Sequence, residues 1–326
     1  MAEVMERATP RLVIVLGPTG IGKSRLGVEL AEVFGGEVLN ADSMQVYRHM
    51  DVGTAKPTPE ERRGIKHHLI DLVAPDEPFH AGLYRTVGRR TIDSLHQAGT
   101  PIFVVGGTGL YIKALTQGLF NSPKVNPLIR ERLKQEASQE GRAPLYQRLK
   151  EVDPETASRI HSNDLFRTIR ALEVFESTGI PISLFRKQHR FGDRPYFTLK
   201  LGLEMDRDKL YRRIEARVDR MIDRGFLQEV EGLLNMGYGP ALKPMQSLGY
   251  KQMVKFLSKE FGWDEALRQM KRETRHYAKR QWTWFKADRE ISWRDESEDR
   301  KKTVFEVRAF LEGHGYFKQR GGKKPW

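Results

Sequence analysis

The residues Gly17, Pro18, Thr19, Gly20, Ile21, Gly22, Lys23 and Ser24 follow the pattern G-x-x-x-x-G-K-[ST]. That pattern binds phosphate. Its small residues let the backbone bend so that N–H groups meet phosphate oxygens. Lys23 supplies a point charge, and Ser24 can place its hydroxyl on Mg²⁺. The flanks fit. Residues 11–16 form a short apolar run suited to a buried strand. Residues 24–34 carry Leu26, Leu30, Val33 and Phe34 at helical spacing. Strand, loop and helix in that order aim a helix N-terminus at an anion.

Four further groups could do chemistry. Asp42 closes the strand-like run of residues 37–41. A carboxylate at a strand end can accept a proton or hydrogen bond from a substrate N–H, and it can equally cap a helix. Ser43, Met44 and Gln45 follow, and a glutamine amide can pair with adenine. Thr108 sits among Gly106, Gly107 and Gly109. That run permits close approach to a ligand, or simply turns a strand into a helix. Arg217, Arg220 and Arg224 share one helical face, which is either a phosphate clamp or a solvated surface. Within residues 263–286, Arg268, Arg272, Arg275, Lys279 and Lys286 form a basic stripe beside an apolar one. The adjacent His67 and His68 lack a spaced partner for metal binding. A second carboxylate to hold Mg²⁺ in an ATPase is missing. The strand at 101–105 runs into glycines, and Asp71 is the nearest alternative. The loop is thus of the nucleotide- and ATP-binding type and grips a polyphosphate or diphosphate, but ATP hydrolysis does not follow from it.

The elements that carry these residues alternate. Strand-like runs at 11–16, 37–41, 67–73 and 101–105 are interleaved with helical ones, which predicts an α/β fold with a parallel sheet. Residues 121–127 read as loop. After about residue 117 only helical patterns appear (128–139, 144–152, 165–177) until a strand-like run at 196–204. Helices are expected again at 207–224, 227–236 and 263–286. This predicts a P-loop-type core from residues 1–116 and 196–290, covered by helices and interrupted by a helical insertion domain at 117–195. Residues 291–326 are expected to be a partly flexible C-terminal extension, frayed from 314.

With 326 residues, room for about two domains exists. The absence of cysteine excludes disulfides and thiolate metal sites. No apolar stretch approaches a membrane span, and no targeting segment is recognisable, so a cytoplasmic protein is expected. The net charge of +13 exceeds what a small nucleotide requires and suits a polyanion such as nucleic acid.

In order along the chain, these segments resemble the tRNA dimethylallyltransferase (tRNA isopentenyltransferase) family. The resemblance runs from Leu12 to about Phe285. It is carried by the loop at 17–24, the segments 42–47 and 51–57, and His67-His68-Leu69-Ile70-Asp71. Residues 106–111, Asn163-Asp164 with Arg167 and residues 170–173, Arg217 with Gly225-Phe226, and residues 280–285 complete it. It implies transfer of a dimethylallyl group from dimethylallyl diphosphate to N6 of adenosine at tRNA position 37, beside the anticodon, with Mg²⁺ as cofactor. On the family pattern, residues 17–24 hold diphosphate, Ser24 holds the metal, and Asp42, Thr108 and Arg217 are catalytic. Asp42, Ser43, Met44, Gln45, Thr108, Arg130, Phe166, Arg167, Thr168, Ile169, Arg170, Arg272 and Arg275 are expected at the tRNA anticodon stem-loop. A monomer is expected. Gly20-Ile21 stands where the family commonly has Ala-Ser, and Phe166 where many relatives carry Gln. Prenyl transfer to free adenine nucleotides and an RNA-binding P-loop NTPase or kinase are the competing readings. The basic charge speaks against the first, and the missing strand-end carboxylate against the second.

Overall fold

The protein is described from a computed structural model covering residues 9–119, 126–189, 192–297 and 300–313. It begins with β1 (Arg11–Leu16), α1 (Lys23–Phe34), β2 (Glu37–Asn40), α2 (Pro59–Arg62), β3 (His67–His68), α3 (Ala81–Gln97), β4 (Ile102–Gly106) and α4 (Gly109–Gln117). Five helices follow: α5 (Pro127–Gln139), α6 (Ala143–Val152), α7 (Pro154–Arg159), α8 (Leu165–Thr178) and α9 (Ile182–His189). The chain then forms β5 (Phe197–Glu204), α10 (Arg207–Asp223), α11 (Phe226–Asn235), α12 (Tyr250–Leu257), α13 (Trp263–Lys286), β6 (Ile291–Asp295) and α14 (Arg300–Leu311). Two compact units result, Met1–Thr116 with Pro195–Trp326, and Gln117–Arg194.

The first unit is built on one sheet of order β3-β2-β4-β1-β5-β6 in which every pairing is parallel. Parallel sheets need cover on both faces, and the strand sequences meet that need. In β1, Leu12, Ile14 and Leu16 join one core while Val13 and Val15 join the other. Leu39 and Val104 side with the first set, Val38, Phe103 and Leu201 with the second. The second unit has its own core, centred on Leu133, Leu149, Ile169 and Leu172.

Register brings the chemistry together. Leu16 pairs with Gly106, and Asn40 with Val105. The C-terminal ends of β1, β4 and β2 therefore emerge side by side, the place where open α/β sheets bind ligands. Gly106 allows this crowding. A Cβ there would stand 2.2 Å from the Ala41 carbonyl oxygen. Gly106→Ala is expected to destabilise the protein by about 1–3 kcal/mol, because backbone rather than a movable side chain must yield. Urea unfolding of the variant measures the loss.

Two sequence expectations change. The run at 67–73 is a strand only at His67 and His68. Leu69 and Asp71 take left-handed φ of 61° and 54°, and the chain turns to pair with the segment after β2. Asp71 N–H donates to Gln45 O, and Leu72 N–H to Val46 O. Residues 291–295 are the sixth strand rather than an extension, paired along β5. The expected fraying from 314 and residues 121–125 of the loop expected at 121–127 lie outside the described residues, and Asn126 and Pro127 cap and begin α5. Among the described residues, no helix is long and apolar enough to cross a membrane.

Candidate active site

Gly20 and Gly22 hold φ of 81° and 106°, which residues with a side chain rarely adopt, and so form the bend that leads into α1. The Lys23 ammonium folds back onto the Pro18 carbonyl at 2.9 Å. Packed protein around it lowers its pKa from the ordinary 10.5 to about 8. The Asp42 carboxylate opposes that shift and the Arg217 guanidinium adds to it. Arg217 Nη1 donates to Thr19 Oγ1 at 3.3 Å, and burial lowers the guanidinium's pKa too. Thr19 departs from the expected cradle in one respect. Its N–H is committed to Gln281 Oε1 at 2.8 Å, so it contributes no free backbone donor to a phosphate. Ile21 is fully buried and packs in the core beneath the loop. Ser24 lies in the first turn of α1 and is exposed.

Asp42 does not cap a helix, since residues 43–47 form none. Its Oδ1 accepts the Met44 N–H at 2.8 Å, closing an Asx turn. Asn40 braces the turn from behind, accepting the Asp42 N–H and donating to the Asp42 and Leu69 carbonyls. The Asp42 charge acts to raise the pKa of Lys23, Arg217, Tyr111 and Tyr277, so all four lie within electrostatic reach of one carboxylate. Thr108 is tied to the same turn. Its Oγ1 accepts the Ser43 N–H at 2.9 Å, and its N–H donates to the Ala41 carbonyl. The two segments that sequence could only place at separate strand ends are thus one hydrogen-bonded unit.

A cavity of about 790 Å³ opens in front of the loop, lined by Lys23, Ser24, residues 55–63, Arg213, Arg217 and Arg220 of α10, and Arg224 at its C-terminal end. The buried side of α10 carries Leu210, Ile214, Val218 and Met221. The arginine face therefore looks into the cavity and is not merely a solvated surface. Asp71, the alternative metal carboxylate, is paired here with Lys56, as is Asp51. Among the described residues no cluster of three or more His, Asp or Glu could hold a metal.

Asp51 and Val52, which also line the cavity, are held by Glu229. Its carboxylate accepts the N–H groups of Asp51, Val52 and Gly53 at 2.6–3.0 Å and the Tyr250 hydroxyl at 2.6 Å. Three consecutive amides aimed at one anion form a nest. Glu229→Gln, which puts an amide donor against these donors, is expected to cost about 1–3 kcal/mol in a thermal melt. Tyr250→Phe, which removes one bond, should cost less.

Several expected tRNA residues sit otherwise. Gln45 is buried, and its Nε2 donates to the Thr54 and Ala55 carbonyls, so its amide nitrogen is not turned toward a base. Of the α8 residues expected at the tRNA, Thr168 and Ile169 are buried, whereas Phe166, Arg167 and part of Arg170 reach the surface. Arg130 and Arg170 both pair with the buried Glu173 at 2.7 Å, and Arg167 pairs with Asp164. The Glu173 pairs already occupy two of the charges expected at RNA, whereas Arg167 keeps an exposed side chain. Arg275 pairs with Glu215 of α10, which attaches α13 to α10, whereas Arg272 is exposed beside Glu273. Sequence reasoning missed Gln281, Lys56 and Glu229.

A glycine-rich loop with a lysine at one strand end, a carboxylate at the next and a row of arginines lining the same cavity belong to a parallel-sheet α/β protein. The comparisons with known proteins are specific. Residues 45–288 match the family model described as IPP transferase. A tRNA dimethylallyltransferase from Syntrophobacter fumaroxidans is 55% identical over 284 residues, 87% of this chain and 83% of that one. The tRNA dimethylallyltransferase of Desulfosudis oleivorans is 51% identical over 302 residues, 93% and 96% of the two chains. The crystal structure of the full-length tRNA isopentenylpyrophosphate transferase from Bacillus halodurans aligns with a TM-score of 0.69 at 37% identity, covering 93% of this chain and 96% of that one. A eukaryotic dimethylallyltransferase acting on tRNA aligns with a TM-score of 0.77 at 29% identity, covering 95% and 81%. The chain belongs to the IPP transferase family, and it is an enzyme of prenyl transfer.

Proposed function

We propose that the protein transfers the dimethylallyl group of dimethylallyl diphosphate to N6 of adenosine at position 37 of tRNA, beside the anticodon. The observation that carries this reading is the meeting of Lys23, Arg217 and Asp42. Two cations serve a departing diphosphate, and the carboxylate within electrostatic reach of both serves an amine. In the reaction the allylic C–O bond breaks and the N6–C bond forms. One N6 proton passes to Asp42, and diphosphate leaves. Adenine N6 is a weak nucleophile, so the allylic carbon must gain positive charge as the donor leaves. Lys23 and Arg217 stabilise the charge that collects on the diphosphate.

Residues 17–24 cradle the diphosphate, with Arg217 held against Thr19. Mg²⁺ fits the oxygen chemistry of this site. The exposed Ser24 hydroxyl would hold it. Bound there, it would supply further positive charge to the leaving group. Ser43, Met44 and Thr108 form the adenosine side, and the base must leave its stack to reach Asp42. Phe166, Arg167 and Arg272 present exposed side chains suited to the anticodon stem-loop. The reading includes a cytoplasmic monomer. Incubation with dimethylallyl diphosphate, Mg²⁺ and unmodified tRNA, followed by mass analysis of the nucleosides, tests it. N6-dimethylallyladenosine at the anticodon-adjacent position is expected. Unmodified tRNA together with RNA-stimulated ATP turnover would overturn the reading.

A further inference from the structure

Gln281 is almost fully buried, and both ends of its amide are used. Its Oε1 accepts the Thr19 N–H at 2.8 Å, and its Nε2 donates to the Gly107 carbonyl at 2.9 Å. The fit is tight, since a Cβ on Gly107 would lie 2.3 Å from that nitrogen. Thr19 belongs to the diphosphate side, where its hydroxyl meets Arg217. Gly107 directly precedes Thr108, whose hydroxyl holds the Ser43 N–H beside Asp42. One amide therefore closes a continuous series from Arg217 through Thr19 and Gly107 to the Asp42 turn. Its own helix is fixed, because Ala278 and Phe285 on either side of it are buried in the core. Loss of either hydrogen bond would leave a buried polar group unpaired and free the two loops to move apart.

We infer that Gln281 is a positioning residue that sets the spacing between the leaving group and the nucleophile, and so couples donor ionisation to capture by adenosine. The inference rests on the function proposed above. In the uncoupled reaction the same allylic C–O bond breaks, but the oxygen of water bonds to the carbon and its proton passes to solvent. The products are dimethylallyl alcohol and diphosphate. Capture by N6 depends on alignment, and a misplacement of about 1 Å costs roughly 10²-fold in rate. Water, which diffuses freely, is far less sensitive.

The test compares the full-length wild-type chain with Gln281→Met and Gln281→Glu, each supplied with dimethylallyl diphosphate, Mg²⁺ and unmodified tRNA. The readout is the ratio of dimethylallyl alcohol to prenylated tRNA. Methionine keeps the length and removes both hydrogen bonds. Glutamate keeps an acceptor for Thr19 and loses the donor to Gly107. The ratio is expected to rise roughly tenfold or more for Gln281→Met, and less for Gln281→Glu. A purely structural role would lower both products together as the folded fraction falls, leaving the ratio unchanged, and that result overturns the inference. If Gln281→Met is insoluble, Gln281→Glu decides by the same criterion. Wild-type protein that makes no prenylated tRNA defeats the proposed function itself, a separate and recognisable failure.

Discussion

Asp42→Asn is expected to lower dimethylallyl transfer by about 10²–10⁴-fold, the usual contribution of a positioned proton acceptor. Asparagine is the informative choice because it separates the two roles of this side chain. Its amide oxygen can still accept the Met44 N–H and keep the Asx turn closed, so Ser43 and Thr108 stay where they are. What it removes is the charge and the capacity to take a proton from N6. tRNA binding, followed by filter retention, should remain at the wild-type level. Asp42→Ala loses both roles and is expected to be no more active than Asp42→Asn. Near wild-type transfer by Asp42→Asn would reduce the carboxylate to a turn former.

Much of this site was legible because its parts are local. The loop at 17–24 carries its glycines, its lysine and its flanking strand and helix within a few residues. Asp42 and Thr108 could be placed at strand ends by hydrophobic run length alone. What sequence could not supply was their union through the Ser43 and Thr108 hydrogen bonds, which span 65 positions. Gln281 reaches still further, 262 positions to Thr19. One signal did exist. A glutamine within the apolar stripe of a long helix must find partners, because buried amides are rarely left unpaired. Glu229 offered no such signal, since a lone acid near the start of a helix is ordinary. The run at 166–170 divides between surface and core. Five consecutive helical residues cannot share a face, and helical periodicity alone turns some of them inward, as Thr168 and Ile169 are. The strand at 291–295 was hidden by its position at the sheet edge, where Arg294 and Asp295 break the apolar pattern.

The titration of Lys23 yields the second large effect. Its pKa in the free protein is about 8, against 10.5 for an unperturbed lysine, and burial is the main cause. A lysine with a lowered pKa loses its proton in the folded state first. Between about pH 8 and 10.5 the unfolded chain holds more protons, so this group destabilises the fold most below pH 8 and the penalty fades as pH rises. Donor capture runs the other way, because only the ammonium attracts diphosphate. The value of kcat/KM for dimethylallyl diphosphate should therefore fall as pH climbs through 8, by about tenfold for each further unit, since this ratio reports the free enzyme. At saturating donor, kcat should hold to a higher pH, because bound diphosphate keeps the ammonium charged. Lys23→Met is expected to lower kcat/KM by about 10²–10³-fold, as the loss of one preorganised charge partner does, and to abolish this alkaline limb. The Asp42 charge raises the Lys23 pKa. The residual activity of Asp42→Asn should therefore show the limb at lower pH. A wild-type kcat/KM that stays level from pH 7 to pH 9.5 would mean that the donor does not depend on the Lys23 charge, and the cradle would need another cation in that place.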